Sequence, residues 1–93
     1  MFPSALEAPS AAPATLCFSL VAKADPGIMP RVMALFAKRA VVPNYWCSRV
    51  SGGELAIDLQ VADLDHDTAL YLAACFRQMP GMGTVLMSEK RGR

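Results

Sequence analysis

Hydrophobic and polar positions alternate along Thr15–Lys23 (TLCFSLVAK), with Leu16, Phe18, Leu20 and Ala22 on one face. Cys17, Ser19, Val21 and Lys23 fall on the other. A period of two predicts a strand with one buried face. Ala24-Asp25-Pro26-Gly27 then supplies turn chemistry that stops it. From Ile28 to Ala40 the period lengthens, and Ile28, Val32, Leu35 and Phe36 form a stripe down one side of an amphipathic helix. Pro30 lies in its first turn, where a missing N–H costs no hydrogen bond.

Asn44–Val50 (NYWCSRV) reads as a second strand, and Gly52-Gly53 as the turn of a hairpin into Leu55–Ala62. That third strand points Leu55, Ile57, Leu59 and Val61 inward. Asp63, Asp65 and Asp67 offer N-caps for a second helix over Thr68–Met79, with Ala69, Leu72, Ala73 and Phe76 at helical spacing. Pro80-Gly81 ends it, and Gly83–Met87 reads as a short last strand. Residues 1–13 are mostly Ala, Pro and Ser without periodicity, which predicts a flexible N-terminal extension. The domain is expected over 14–88, with a basic C-terminal tail over 89–93.

Strand, helix, strand, strand, helix, strand predicts an α+β, ferredoxin-like βαββαβ sandwich, a four-stranded antiparallel sheet with two helices on one face. By parity the other face carries Cys17, Ser19, Val21, Tyr45, Cys47, Arg49, Ala56, Asp58, Gln60 and Ala62. Trp46 and Val50 share the core parity. An exposed edge invites pairing with a second copy, so a homodimer through Asn44–Val50 is expected, with Tyr45, Cys47 and Arg49 at the interface.

Composition sharpens that expectation. A hydrophobic share of 54% is high for one small domain of 93 residues, and a subunit interface absorbs the excess. The formal charge balances over residues 16–87, which leaves no electrostatic footprint for nucleic acid. Charged residues and prolines interrupt every apolar run, so neither a membrane span nor a secretory signal is expected, and the location expected is cytoplasmic. Cys17, Cys47 and Cys75 lie about thirty residues apart with no paired spacing. They read as packed thiols, not as a disulfide framework or a metal site. His66, Ser48 and the three aspartates lack a convergent partner, so no catalytic residue and no cofactor are assigned.

The chemical feature that remains is the entrance to the first helix, where backbone N–H groups and the positive dipole end can hold a carboxylate. The run Ala24-Asp25-Pro26-Gly27-Ile28-Met29-Pro30-Arg31-Val32-Met33-Ala34-Leu35-Phe36-Ala37-Lys38-Arg39 resembles the opening of ACT domains. It is especially similar to that of the small regulatory subunits of acetolactate synthase. Leu55-Ala56-Ile57-Asp58-Leu59-Gln60-Val61 fits the same pattern, and the resemblance spans residues 15–88. It implies a non-catalytic regulatory module that dimerises and binds a small effector, often an amino acid, at the dimer interface. It also implies a larger biosynthetic enzyme as partner. Carried over, Asp25, Gly27, Ile28 and Met29 line the effector site. Many ACT regulators place Gly-x-Asn-Ile after the first helix, with the Asn on the effector. Aligned without gaps, Ala40-Val41-Val42-Pro43 stands there, so Val42 occupies the Asn position, and Asn44 takes that role only with a two-residue shift. Loss of that amide leaves a ligand-free assembly adaptor as the alternative.

Overall fold

The computed structural model describes residues 14–91. Strand β1 spans Ala14–Lys23, helix α1 Ile28–Lys38, β2 Tyr45–Ser51, β3 Glu54–Ala62, α2 His66–Arg77 and β4 Met82–Arg91. The sheet order is β2-β3-β1-β4, antiparallel throughout. This is the expected βαββαβ sandwich. The extension foreseen over 1–13 lies outside the described residues.

Alternation decides which face is buried. Leu16, Phe18, Leu20 and Ala22 of β1 meet Leu55, Ile57, Leu59 and Val61 of β3 beneath Ile28, Val32 and Phe36 of α1 and Ala69, Leu72, Ala73 and Phe76 of α2. At the centre, Phe18 sits edge-on to Phe36 and Phe76, with ring centroids 6.2 and 5.6 Å away. Both helices therefore cover the same face of the sheet. The opposite face is left open.

Local chemistry places the ends. Asp65 caps α2, its Oδ2 accepting from Thr68 N at 3.1 Å and from Thr68 Oγ1 at 3.3 Å. Because that cap is used, α2 begins at His66, two residues before the expected start. The C-terminus of α1 closes with Ala40 N donating to Ala37 O and Val41 N to Phe36 O, both at 3.0 Å. Such a double closure needs a left-handed residue between, and Ala40 supplies it at φ 57°.

The last strand differs from expectation. It continues through Lys90 and Arg91, which pair with Thr15 and Ala14, so the foreseen tail enters the ladder as far as residue 91. Ser88, Glu89 and Lys90 carry no apolar alternation, because neither side of an edge strand at this end is buried. Backbone pairing alone extends it. Gly83 is the extra residue of a bulge opposite Val21 and Ala22, and a β-carbon there would lie 3.0 Å from Val21 O. Val50 also departs from its parity reading. It lies on the helix side of β2 yet is 66% exposed, because α1 does not reach that far out over the edge strand.

Candidate functional site

The helix entrance hangs between two glycine turns. Lys23 N donates to Gly81 O at 2.9 Å and Ala24 N to Gly53 O at 3.0 Å, which pins the end of β1 to both neighbouring loops. Asp25 then folds the chain back on itself. Its carbonyl accepts from Ile28 N at 3.0 Å, and its Oδ1 accepts from Gly27 N at 2.9 Å. The Gly27 and Ile28 amides expected to hold a ligand's carboxylate are thus occupied by Asp25 itself.

Gly27 adopts φ −80° and ψ −10°, which any residue tolerates. What a side chain would meet is Arg31. A β-carbon at Gly27 would lie 3.2 Å from Arg31 Nη2 and 3.5 Å from Asp25 Oδ1. One cation and one anion therefore flank this glycine. Arg31 was not among the residues singled out from sequence, although it stands one helical turn after Gly27, the spacing that brings side chains to one face. Ile28, expected to line the site, is fully buried in the core, and Met29 packs half-buried against it. Neither presents its whole side chain to a ligand.

Val42 and Asn44 lie at the other end of α1, a helix of 11 residues and so about 16 Å long. A single chain does not bring them to Asp25 and Gly27. Val42 is 83% exposed. It lines an apolar recess of about 520 Å³ with Met33, Phe36, Ala40, Pro43 and Trp46. Asn44, just before β2, is tied to β3, its Oδ1 accepting from Ala62 N at 2.8 Å and its N–H donating to Gln60 O at 2.9 Å. The left-handed Ala40 sits where the ungapped alignment puts the glycine of Gly-x-Asn-Ile.

The open face carries a second polar group of residues. Ser19 Oγ donates to Asp58 Oδ1 at 2.6 Å, and Arg49 Nη1 lies 3.4 Å from Asp58 Oδ2. Tyr45 and Arg49 are exposed and Cys47 is half-buried between them, as parity implies. A hydrogen bond to Cys47, reinforced by repulsion from the thiolate form of that side chain, pushes the Tyr45 phenol above its ordinary range. Among the described residues no cluster of three or more His, Cys, Asp or Glu side chains forms a metal site. No described helix is long and apolar enough to cross a membrane.

No protein-family model matches the chain, and no curated protein matches it. Solved structures do. The ACT domain from the GTP pyrophosphokinase of Chlorobium tepidum superposes with a TM-score of 0.69 at 15% identity, covering 80% of this chain and 96% of that one. The regulatory subunit of aspartate kinase from Thermus thermophilus gives 0.62 at 17%, covering 80% of this chain and 50% of that one. A homoserine dehydrogenase from Thiobacillus denitrificans gives 0.66 at 16%, with 85% of this chain matching 18% of that one. At such identities the likeness is one of architecture: the chain has the ferredoxin-like fold of solved ACT domains.

Proposed function

We propose that this chain is a non-catalytic, ACT-like regulatory module that binds a small amino acid at a homodimer interface and controls an amino-acid biosynthetic enzyme. The observation that carries the reading is the pair of opposite charges beside Gly27. Arg31 suits a ligand's carboxylate. Asp25, with Oδ1 committed to Gly27, keeps Oδ2 for its ammonium. An α-amino acid presents both groups on one carbon.

A second copy running antiparallel along the α1–β2 edge brings its Val42 and Asn44 towards this loop, since they lie at the opposite end of that edge. Val42 then gives the ligand's side chain an apolar wall in place of the family amide. Regulation follows by linkage, because a ligand that prefers one dimer arrangement raises its population and shifts the partner enzyme with it. Within this reading, the sequence likeness to acetolactate synthase small subunits makes a thiamine-dependent synthase the partner to test.

Thermal denaturation across the proteinogenic amino acids tests the sensing role. A ligand at one hundred times its Kd stabilises the fold by about 2.7 kcal/mol, a readily measured shift. The matching acid without the amine, and the matching amine without the acid, should both bind weakly. No shift at millimolar concentration for any amino acid overturns the sensing role. The second reading, a ligand-free adaptor, draws on exposed Tyr45, Arg49 and Leu86 around the open face. It calls for a complex with the synthase that is indifferent to added amino acids.

A further inference from the structure

We infer that the segment of residues 1–13 returns onto its own domain and sets the Phe2 side chain into the apolar recess of Met33, Val42, Pro43 and Trp46. The docking does not need the homodimer reading. Its effect on association does, because the segment and a second copy then compete for the α1–β2 edge.

Every residue lining the recess is apolar, and its volume is about 520 Å³. Its floor is fixed, since Phe36 is 1% exposed and belongs to the core. Its rim is wet, with Val42 83% and Met33 54% exposed. A concave apolar surface of this kind is matched by one large side chain set into a pocket, with lesser contacts around it.

The start of β1 lies at the same end of the sheet. Ala14 O accepts from Asp63 N at 3.1 Å, and the neighbouring Ala62 N donates to Asn44 Oδ1 at 2.8 Å. Asn44 directly follows Pro43 of the recess. Only β3 separates β1 from β2, so Ala14 and Asn44 stand about 10 Å apart, two strand spacings. Extended chain from Phe2 to Ala14 reaches about 40 Å, several times that distance. Ala14 also shares the parity of Leu16 and Phe18, which face the helices, and the recess opens on that side.

The chemistry of the segment suits the surface. Outside the described residues, Met1, Phe2 and Leu6 are the large apolar side chains, and the other end offers only Gly92 and Arg93. Residues 26–53, which build α1, the recess and β2, carry Arg31, Lys38, Arg39 and Arg49 and no acid. The single charge in residues 1–13 is Glu7. Opposite signs draw the segment towards this side of the domain. Pro3, Pro9 and Pro13 reduce the conformational freedom lost on docking.

Tethering favours the segment over a second copy. A short linker holds it at a millimolar effective concentration, so a contact with a Kd of about 1 mM is already half formed. A second copy at micromolar concentration gains nothing from such a contact alone. If each copy must release its segment to pair, half occupancy in both weakens the dimer about fourfold.

Trp46, the chain's single tryptophan, reports the docking in the full chain. Phe2→Ser should shift its emission to the red and raise its quenching by acrylamide with unchanged circular dichroism, and Phe2→Leu should keep most of the native signal. Ser4→Cys, in a chain carrying Cys17→Ser, Cys47→Ser and Cys75→Ser, accepts one nitroxide label. The label should quench Trp46, and mixing with unlabelled chain at constant total concentration should leave each labelled chain as quenched as before. Relief of the quenching in proportion to unlabelled chain would assign the recess to the segment of a second copy and overturn the inference. No quenching, or a Trp46 signal indifferent to Phe2→Ser, overturns it as well. In sedimentation Phe2→Ser should tighten the dimer about fourfold. A dimer equilibrium unmoved while Trp46 responds overturns the competition. A chain that stays monomeric at every concentration overturns the homodimer reading, and the Trp46 measurements still decide the docking.

Discussion

Asp25 Oδ1 accepts the backbone N–H of Gly27 at 2.9 Å, so a carboxylate of the chain itself sits where a ligand's carboxylate was expected. The helix entrance is therefore not a bare anion site. It is a turn closed by its own acid, with Arg31 supplying the positive charge. On the proposed reading, recognition there depends on side chains as well as on the helix end.

Asp25→Ala should weaken binding of an α-amino acid about tenfold or more, the loss expected for one charge-assisted hydrogen bond. The same change frees Gly27 N and removes a like charge, so the corresponding simple carboxylic acid should bind more tightly than it does to the unaltered chain. Isothermal titration with the two ligands reads both effects. Parallel losses for both would show that Asp25 only shapes the turn.

Two glycines should respond differently to alanine. At Gly83 a β-carbon meets the Val21 carbonyl at 3.0 Å, and backbone cannot move aside cheaply. Gly83→Ala should cost about 1–3 kcal/mol of stability in urea denaturation. At Gly27 the neighbour is the mobile end of Arg31, so Gly27→Ala should change stability by less than about 0.5 kcal/mol. It should nevertheless abolish any ligand-induced thermal shift, because the methyl group enters the space between the two charges.

Ala40 holds a conformation that glycine adopts without strain. Ala40→Gly should stabilise the fold by about 0.5–1 kcal/mol, the relief of left-handed strain less the added chain entropy. Ala40→Val should destabilise it, since a β-branched residue tolerates positive φ poorly. The denaturant midpoint should move in opposite directions for the two, with the slope unchanged.

The hydrogen bond to Cys47 is the first cause of the raised Tyr45 ionisation. Ultraviolet titration should find the Tyr45 phenol losing its proton above its usual pH, and Cys47→Ala should bring that step down. Tyr71→Phe isolates the Tyr45 signal, because the chain has two tyrosines. An unaltered Tyr45 titration after Cys47→Ala would mean that the thiol is not its partner.

What the sequence determined by itself was the set of elements and which way each faces. Along β1 and β3 a one-residue slip would expose Leu16, Phe18, Ile57 and Leu59 together, so alternation leaves a single choice. Helix α1 announces itself through Val32 and Phe36 in the same way, and the Asp25-Pro26-Gly27 turn marks the place of the candidate site. Tertiary structure decided what no local pattern records. Strand β4 runs to Arg91 because β1 offers it a partner as far back as Ala14, although its last residues carry no apolar signal. Val50 has core parity yet lies exposed, because burial depends on how far α1 reaches across the sheet. Asp25 occupies the Gly27 amide, Arg31 turns back onto the same residue, and Val42 and Asn44 end a helix length away. These relationships are set by where the packed chain brings its parts, and hydrophobic periodicity measures only which side of an element leaves water.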